Sequence, residues 1–369
     1  MLFRSLFETE SSFTNFQRWV GSDGRRLDLH PRVFLPLSAG GYFTLTPFVG
    51  GRGTFYDIRV VDGRLTRDGG IQVEVTRDDP FVRALAEWGS DLEARAVRIF
   101  DVGGVGGIST LQHLIEPRAN ITEIRGVNKR QTPQWDPGGG LVNPLGAPLA
   151  DVGIDRIGTI SRLTYSLTNR LNAKTVAGVG EQAVKWELMR FSLGQTYDLT
   201  RDEGFEPLGV PPRKPSKRFG DLAGEVILQP NSLFRFRGDA RYDVYGDGLQ
   251  NVNGDISATL WDVTALAGGR FDDRAKIEFI KGEILAKISR YLDLRGSTQY
   301  DISSGTALET RVGMDIHCQC ATISLGYIRR EGVGLARNEN AFHISVSLLG
   351  VGQVGSSTSF TPTTSGSSK

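Results

Sequence analysis

Along most of this chain apolar and polar residues alternate one by one, the signature of β-strands with two unlike faces. From Phe234 to Tyr245, Phe234, Phe236, Gly238, Ala240, Tyr242 and Val244 alternate with Arg235, Arg237, Asp239, Arg241, Asp243 and Tyr245. Such a run of polar alternates cannot face a dry core, because each unpaired buried charge costs several kcal/mol. They face water, or a wet lumen in which opposite charges on neighbouring strands pair.

The same rhythm recurs. Val252, Gly254, Ile256, Ala258 and Leu260 alternate with Asn251, Asn253, Asp255, Ser257 and Thr259. Leu292, Leu294, Gly296, Thr298 and Tyr300 alternate with Asp293, Arg295, Ser297, Gln299 and Asp301. Leu308 to His317, Ala321 to Tyr327, Phe342 to Leu348, Leu163 to Thr168, Leu27 to Leu37 and Phe43 to Val49 behave alike. Roughly fifteen strands joined by Gly, Asp, Asn and Ser turns are predicted. Helix is scarce, and about two turns are expected over Phe81 to Trp88. Pro- and Gly-rich Val127 to Gly158 reads as a long loop, Asp202 to Arg218 as a second, more basic one, and Ser356 to Lys369 as a disordered tail.

A β-sandwich also alternates, but with shorter strands and less chain per domain. Many long strands with charged alternates, and Tyr or Trp near their ends, favour an all-β fold of the antiparallel outer-membrane β-barrel class. The length of 369 residues suits one large barrel. No apolar run is long enough for a transmembrane helix, and a slightly negative mean hydropathy fits strands that are polar on one side. Lys and Arg number 43 against 42 Asp and Glu, so net charge argues for no nucleic acid or other anionic partner. The start, MLFRSLFETESSF, carries acids where a signal peptide needs an apolar core. An exported barrel therefore requires the chain to be a fragment or its start to be misplaced.

Candidate chemistry is sparse. Gly178-Val179-Gly180-Glu181-Gln182-Ala183 matches a dinucleotide-binding pattern but lacks the preceding buried strand and following helix, and reads as a hairpin loop. His30, His113, His317 and His343 are too dispersed for a metal site, and each occupies an alternating position that suits a lumen-facing polar residue. No cofactor, metal or catalytic residue is expected, although a Ser/His hydrolase set in a barrel wall remains a competing reading. Cys318 and Cys320, the only cysteines, lie where one strand hands over to the next. Their thiols share a face and a disulfide between them would be strained. Either they are small residues at a turn, or their bonding partners lie outside this chain.

Several segments together resemble the C-terminal part of the LPS-assembly protein LptD family, also called organic solvent tolerance protein OstA. They are LDLHPRVFLPLS (Leu27 to Ser38), HLIEPRANITEI (His113 to Ile124), GIDRIGTISRLTYSLTNRL (Gly153 to Leu171), LMRFSLGQTYDL (Leu188 to Leu199) and the block from Cys318 to Gly352. They occur in the family's order over nearly the whole chain.

The resemblance implies a very large barrel of the Gram-negative outer membrane that inserts lipopolysaccharide into the outer leaflet and is not an enzyme. A lateral opening between first and last strands would release the lipid. Phe342, His343, Ile344, Ser345 and Val346, in the last strand, become gate candidates. Arg235, Arg237, Asp239, Arg241, Asp243 and Arg295 become lumen-facing candidates, the arginines contacting phosphorylated sugars or pairing with neighbouring Asp residues. Expected partners are lipopolysaccharide, an LptE-like lipoprotein plug, periplasmic bridge proteins reached through an N-terminal domain, and the barrel assembly machinery. The family's signal peptide, periplasmic domain and early strands have no counterpart here. Its cysteine pair is adjacent, whereas Gln319 separates Cys318 from Cys320, and its partner cysteines belong to the N-terminal region. The expected organisation is an extension or truncated strand over 1–24, the C-terminal barrel portion over 25–352, and a disordered tail over 353–369. A passive, porin-like barrel is the alternative.

Overall fold

The computed structural model describes residues 5–18, 22–68, 71–126, 131–133, 135, 145, 154–157, 159–175, 183–199, 218–273, 276–331, 338–348 and 352–355. The chain falls into two units, residues 1–224 with 241–248, and residues 225–240 with 249–369.

In the first unit the strands are β1 (Leu6–Phe16), β2 (Gly24–Phe34), β3 (Leu37–Ala39), β4 (Phe43–Tyr56), β5 (Arg59–Asp68), β6 (Ile71–Arg77), β7 (Phe81–Ala94), β8 (Ala96–Asp101), β9 (Ile108–Arg125), β10 (Ile160–Thr175) and β11 (Lys185–Asp198). The unit boundary runs through β12 (Leu222–Leu228) and β13 (Phe234–Asp243). The second unit continues with β14 (Gly248–Leu260), β15 (Val263–Asp272), β16 (Ile277–Ser289), β17 (Leu292–Asp301), β18 (Thr306–His317), β19 (Ala321–Arg330), β20 (Glu339–Leu348) and β21 (Gly352–Gly355). Neighbours pair antiparallel in sequence order along β14 to β21. In the first unit β1 pairs with β2, β2 with β4, β4 with β7, β7 and β8 with β9, and β9 with β10. β5 and β6 form a separate hairpin.

Strand faces are inverted relative to a water-soluble sheet. In β2, Arg26, Asp28 and His30 are buried while Leu27, Leu29 and Val33 are exposed. In β7, Arg83, Leu85 and Glu87 are buried while Val82 and Trp88 are exposed. In β20, Phe342 is 84% exposed and its neighbour His343 only 7%. Apolar groups outward and paired charges inward suit a hydrocarbon solvent and exclude a sandwich core. The fold is all-β and of the antiparallel outer-membrane barrel class. No helix among the described residues is long and apolar enough to cross a membrane, which says nothing of crossing by strands.

Some expectations need correction. Phe81 to Trp88 is strand, not helix. Its pairing with β4 runs unbroken from Phe81↔Tyr56 to Ala94↔Phe43, and those ladder bonds outweigh the local preference of its alanines and leucines. His113 shares its face with exposed Ile115 and Ile121 and pairs with Leu171, so register places it on the apolar side. Beyond β20, expected as the last strand, β21 adds a short ladder from Ser345↔Gly355 to Leu348↔Gly352. The Gly178–Gln182 stretch, most of the loops over 127–158 and 202–218, and the tail from Ser356 lie outside the described residues.

Close strand approach is tightest at Gly89. A Cβ there would sit 2.1 Å from the Ile121 carbonyl oxygen and 2.8 Å from the Phe48 ring, which only glycine avoids.

Candidate functional site

Among the described residues a dense polar assembly lies on the inward face of β2, β4 and β7. Alternation brings Arg26, Asp28 and His30 of β2, Arg52, Thr54 and Tyr56 of β4, and Arg83 and Glu87 of β7 to one side. Arg52 Nε lies 3.2 Å from Asp28, which also accepts a 2.7 Å hydrogen bond from the Thr54 hydroxyl. His30 Nε2 lies 2.6 Å from Glu87. Farther along the same wall, Arg32 reaches Glu8 and Glu10, each at 3.3 Å.

The connection between β9 and β10 returns onto this wall. Asp155, 1% exposed, takes an ion pair from Arg26 at 2.9 Å and a hydrogen bond from the Tyr56 hydroxyl at 2.8 Å. The Trp135 backbone N–H donates to its second oxygen at 3.1 Å. Arg83 donates to the Ile154 carbonyl at 2.7 Å. Trp135 itself stacks on Phe16 with centroids 4.8 Å apart and donates its ring N–H to the Ser22 carbonyl at 3.1 Å. Tyr56, Ile58 and Trp135 form a small apolar cluster that excludes water from these polar bonds.

Sequence reasoning recognised the long connection but not these anchors, and it placed the lumen candidates elsewhere. The alternation of Arg26, Asp28, His30 and Arg32 was the readable signal. Nothing local announced Asp155, whose partner Tyr56 is 99 positions away.

The predicted polar residues of β13 are half-buried at Arg235, Asp239 and Arg241, exposed at Arg237 and buried at Asp243. Arg237 pairs with Glu225 at 3.3 Å, and Asp239 accepts from Asn253 at 2.7 Å. Asp243 accepts from the Tyr245 backbone N–H at 2.7 Å, closing its own turn. On β17, Arg295 pairs with Asp315 of β18. The apolar alternates Phe234, Phe236 and Tyr242 are exposed. The arginines with resolved partners therefore meet acids of the same sheet.

Cys318 and Cys320 are exposed free thiols in the tight turn between β18 and β19, closed by a 2.7 Å bond from the Cys318 N–H to the Ala321 carbonyl. On β20, Phe342 and Ile344 point outward, His343 and Ser345 are buried and Val346 is half-buried. β20 pairs with β19 from Ala321↔Leu348 to Arg330↔Glu339.

Comparison with known proteins gives one family. The model of LptD, LPS transport system D, matches residues 1–260. No curated protein matches the chain. Among solved structures, a mutant of Rh. blastica porin aligns over 92% of this chain and 99% of its own, at 7% identity and a TM-score of 0.35. The copper transporter OprC aligns over 94% of this chain and 69% of its own, at 9% identity and a TM-score of 0.36. The structure of the FpvAI–pyocin S2 complex aligns over 93% and 60%, at 10% identity and a TM-score of 0.30. Likenesses this slight carry no argument beyond themselves.

Proposed function

The chain belongs to the LptD family, the LPS transport system D proteins of the Gram-negative outer membrane, and on that premise we propose that it carries lipopolysaccharide through its wet interior into the outer leaflet. The observation that carries this reading is the inverted strand, with Leu27, Leu29, Val82, Phe342 and Ile344 outward and Arg26, Asp28, Arg83, His343 and Ser345 inward. The outward groups match acyl chains. Arg26, Asp28 and Arg83 are buried and already paired, so the half-buried inward groups such as Arg32, Arg235 and Asp239 are the ones that match sugars and phosphates. An amphiphile crossing sideways needs both at once.

In this reading β21 and the part of β20 it leaves unpaired, Glu339 to Ile344, form one side of a lateral opening, because sheet edges in lipid must otherwise be paired. Lipid delivery by periplasmic bridge proteins, a lipoprotein of the LptE type in the lumen, and insertion by the barrel assembly machinery belong to the same proposal. So do disulfides from Cys318 and Cys320 to cysteines outside the given sequence. Barrels of this kind have short periplasmic turns and longer outer loops. The Cys318–Cys320 turn then faces the periplasm, and the connection after β19 faces outward.

Depleting the protein in its host should keep newly made lipopolysaccharide from the cell surface, read by an outer-leaflet labelling reagent. Unchanged surface arrival with slowed uptake of small solutes would instead support the passive, porin-like reading. Orientation is tested in a Cys318→Ser/Cys320→Ser background carrying Arg235→Cys, Arg237→Cys or Asp239→Cys. Aqueous thiol reagents should label each variant, and labelling by lipid-soluble probes alone would reverse the assignment of faces.

A further inference from the structure

We propose that Asp293, Asp315 and His317 bind one divalent transition-metal ion, with zinc(II) the best match, across the ends of β17 and β18 beside the cysteine turn. Asp293 and Asp315 stand directly opposite in the antiparallel register. Two like charges in that relation destabilise a sheet unless a cation lies between them. His317, two residues after Asp315, shares its face, and one ligand atom from each of the three lies within 4.8 Å of the others.

The closest of the three separations fits one ion. His317 Nε2 is 3.1 Å from Asp293 Oδ2. Donors bound to zinc at about 2.0–2.2 Å sit roughly 3–3.5 Å apart, so the pair is already spaced as two ligands of one metal. The other ring nitrogen, Nδ1, lies 3.2 Å from the Thr322 hydroxyl, an outer contact of the kind that orients ligand imidazoles. Asp315 is 6% exposed, so its charge is shielded from bulk water.

Charge points the same way. Arg295 pairs with Asp315, and it also feels the charges of Asp293 and Glu283. Lys287 of β16 stands opposite Asp293 on the other side, so three carboxylates face two basic side chains, leaving one negative charge when the imidazole is neutral. A divalent ion would offset that charge, and an imidazole donor favours zinc, copper, iron or nickel over magnesium, calcium and manganese. With the imidazole neutral, Nε2 would offer its lone pair to the metal while its one N–H, on Nδ1, donates to the Thr322 hydroxyl, and water would complete the coordination. The ion would tie β17 to β18 next to Cys318 and Cys320 without using either thiol.

The test uses the full-length protein in detergent, stripped with chelator and titrated with zinc(II), magnesium and calcium. Native barrel mobility on unheated gels confirms that each variant folds. One zinc per chain is expected, with Asp293→Asn and His317→Gln each weakening it by at least about tenfold. Cys318→Ser/Cys320→Ser should leave zinc affinity unchanged. The proposal is overturned by absent stoichiometric zinc, by affinity indifferent to His317→Gln, by equal affinity for magnesium or calcium, or by loss with the cysteine double variant. The readout is metal binding, so it stands apart from whether lipopolysaccharide is the cargo.

Discussion

Replacing Asp155 by Ala should release the connection between β9 and β10 from the barrel wall. The side chain of Asp155 is fully enclosed and that of Arg26 is 6% exposed, so their 2.9 Å ion pair lies out of water. Removing one partner of a buried pair costs about 3–5 kcal/mol, because the remaining charge is left uncompensated. The Tyr56 hydroxyl and the Trp135 N–H lose their acceptor as well, and water entering an opened loop offsets part of that loss. At about 1.4 kcal/mol per factor of ten, the opened population rises roughly a hundredfold to a few thousandfold. Limited proteolysis of the folded protein reads that population when opening and closing outpace cleavage. Cleavage between residues 126 and 159 should accelerate accordingly, while the rest of the barrel stays resistant. The control is Asp273→Asn, which removes an exposed pair with Lys276 worth about 0–1 kcal/mol. If Asp155→Ala and Asp273→Asn are cleaved at the same rate, the buried network does not hold the connection, and the reasoning fails.

Gly89→Ala should destabilise the first unit by about 1–3 kcal/mol, because the new Cβ meets the Ile121 carbonyl and backbone must shift. A lowered temperature of conversion to the slow-migrating unfolded form on gels would register it, and an unchanged temperature would show that β7 and β9 have slack. Arg329 and Arg330 end β19. Trypsin added to intact cells should cut there if that end faces outward, whereas cutting only after lysis would invert the topology.

The strands of the second unit were legible because each carries its own evidence. Arg235 to Asp243, Asp293 to Asp301 and Phe342 to Leu348 state their two faces within ten residues, and the observed burial follows them except at exposed Arg237 and Ser347 and at buried Gly238. β7 was harder. Phe81, Leu85 and Trp88 fall at helical spacing and the intervening residues include two alanines, so the local pattern pointed the wrong way. Only pairing with β4 on one side and β9 on the other decided it, and that information lies in other segments. The Asp155 anchor was illegible for the same reason. An aspartate in a Gly- and Pro-rich loop is ordinarily solvated, and its burial depends on Arg26, Tyr56 and Arg83 from three separate strands.

In each unit the described polar faces are built from pairs rather than from one sign of charge. Arg26 meets Asp155, Arg52 meets Asp28, Arg237 meets Glu225, Arg270 meets Asp255 and Arg295 meets Asp315. For the proposed transport role the arrangement has a consequence. A wall of unpaired arginines would grip each phosphate of a passing lipid, and a conduit must bind weakly enough to let go. Arginines already engaged by carboxylates offer only their remaining N–H donors, so a phosphate gains hydrogen bonds without a free cation to trap it. Breaking one pair should therefore slow passage by adding a sticky site. Glu225→Gln, which frees Arg237, is expected to retain lipopolysaccharide on the purified protein. Retention equal to the parent protein would mean that the paired wall governs stability alone.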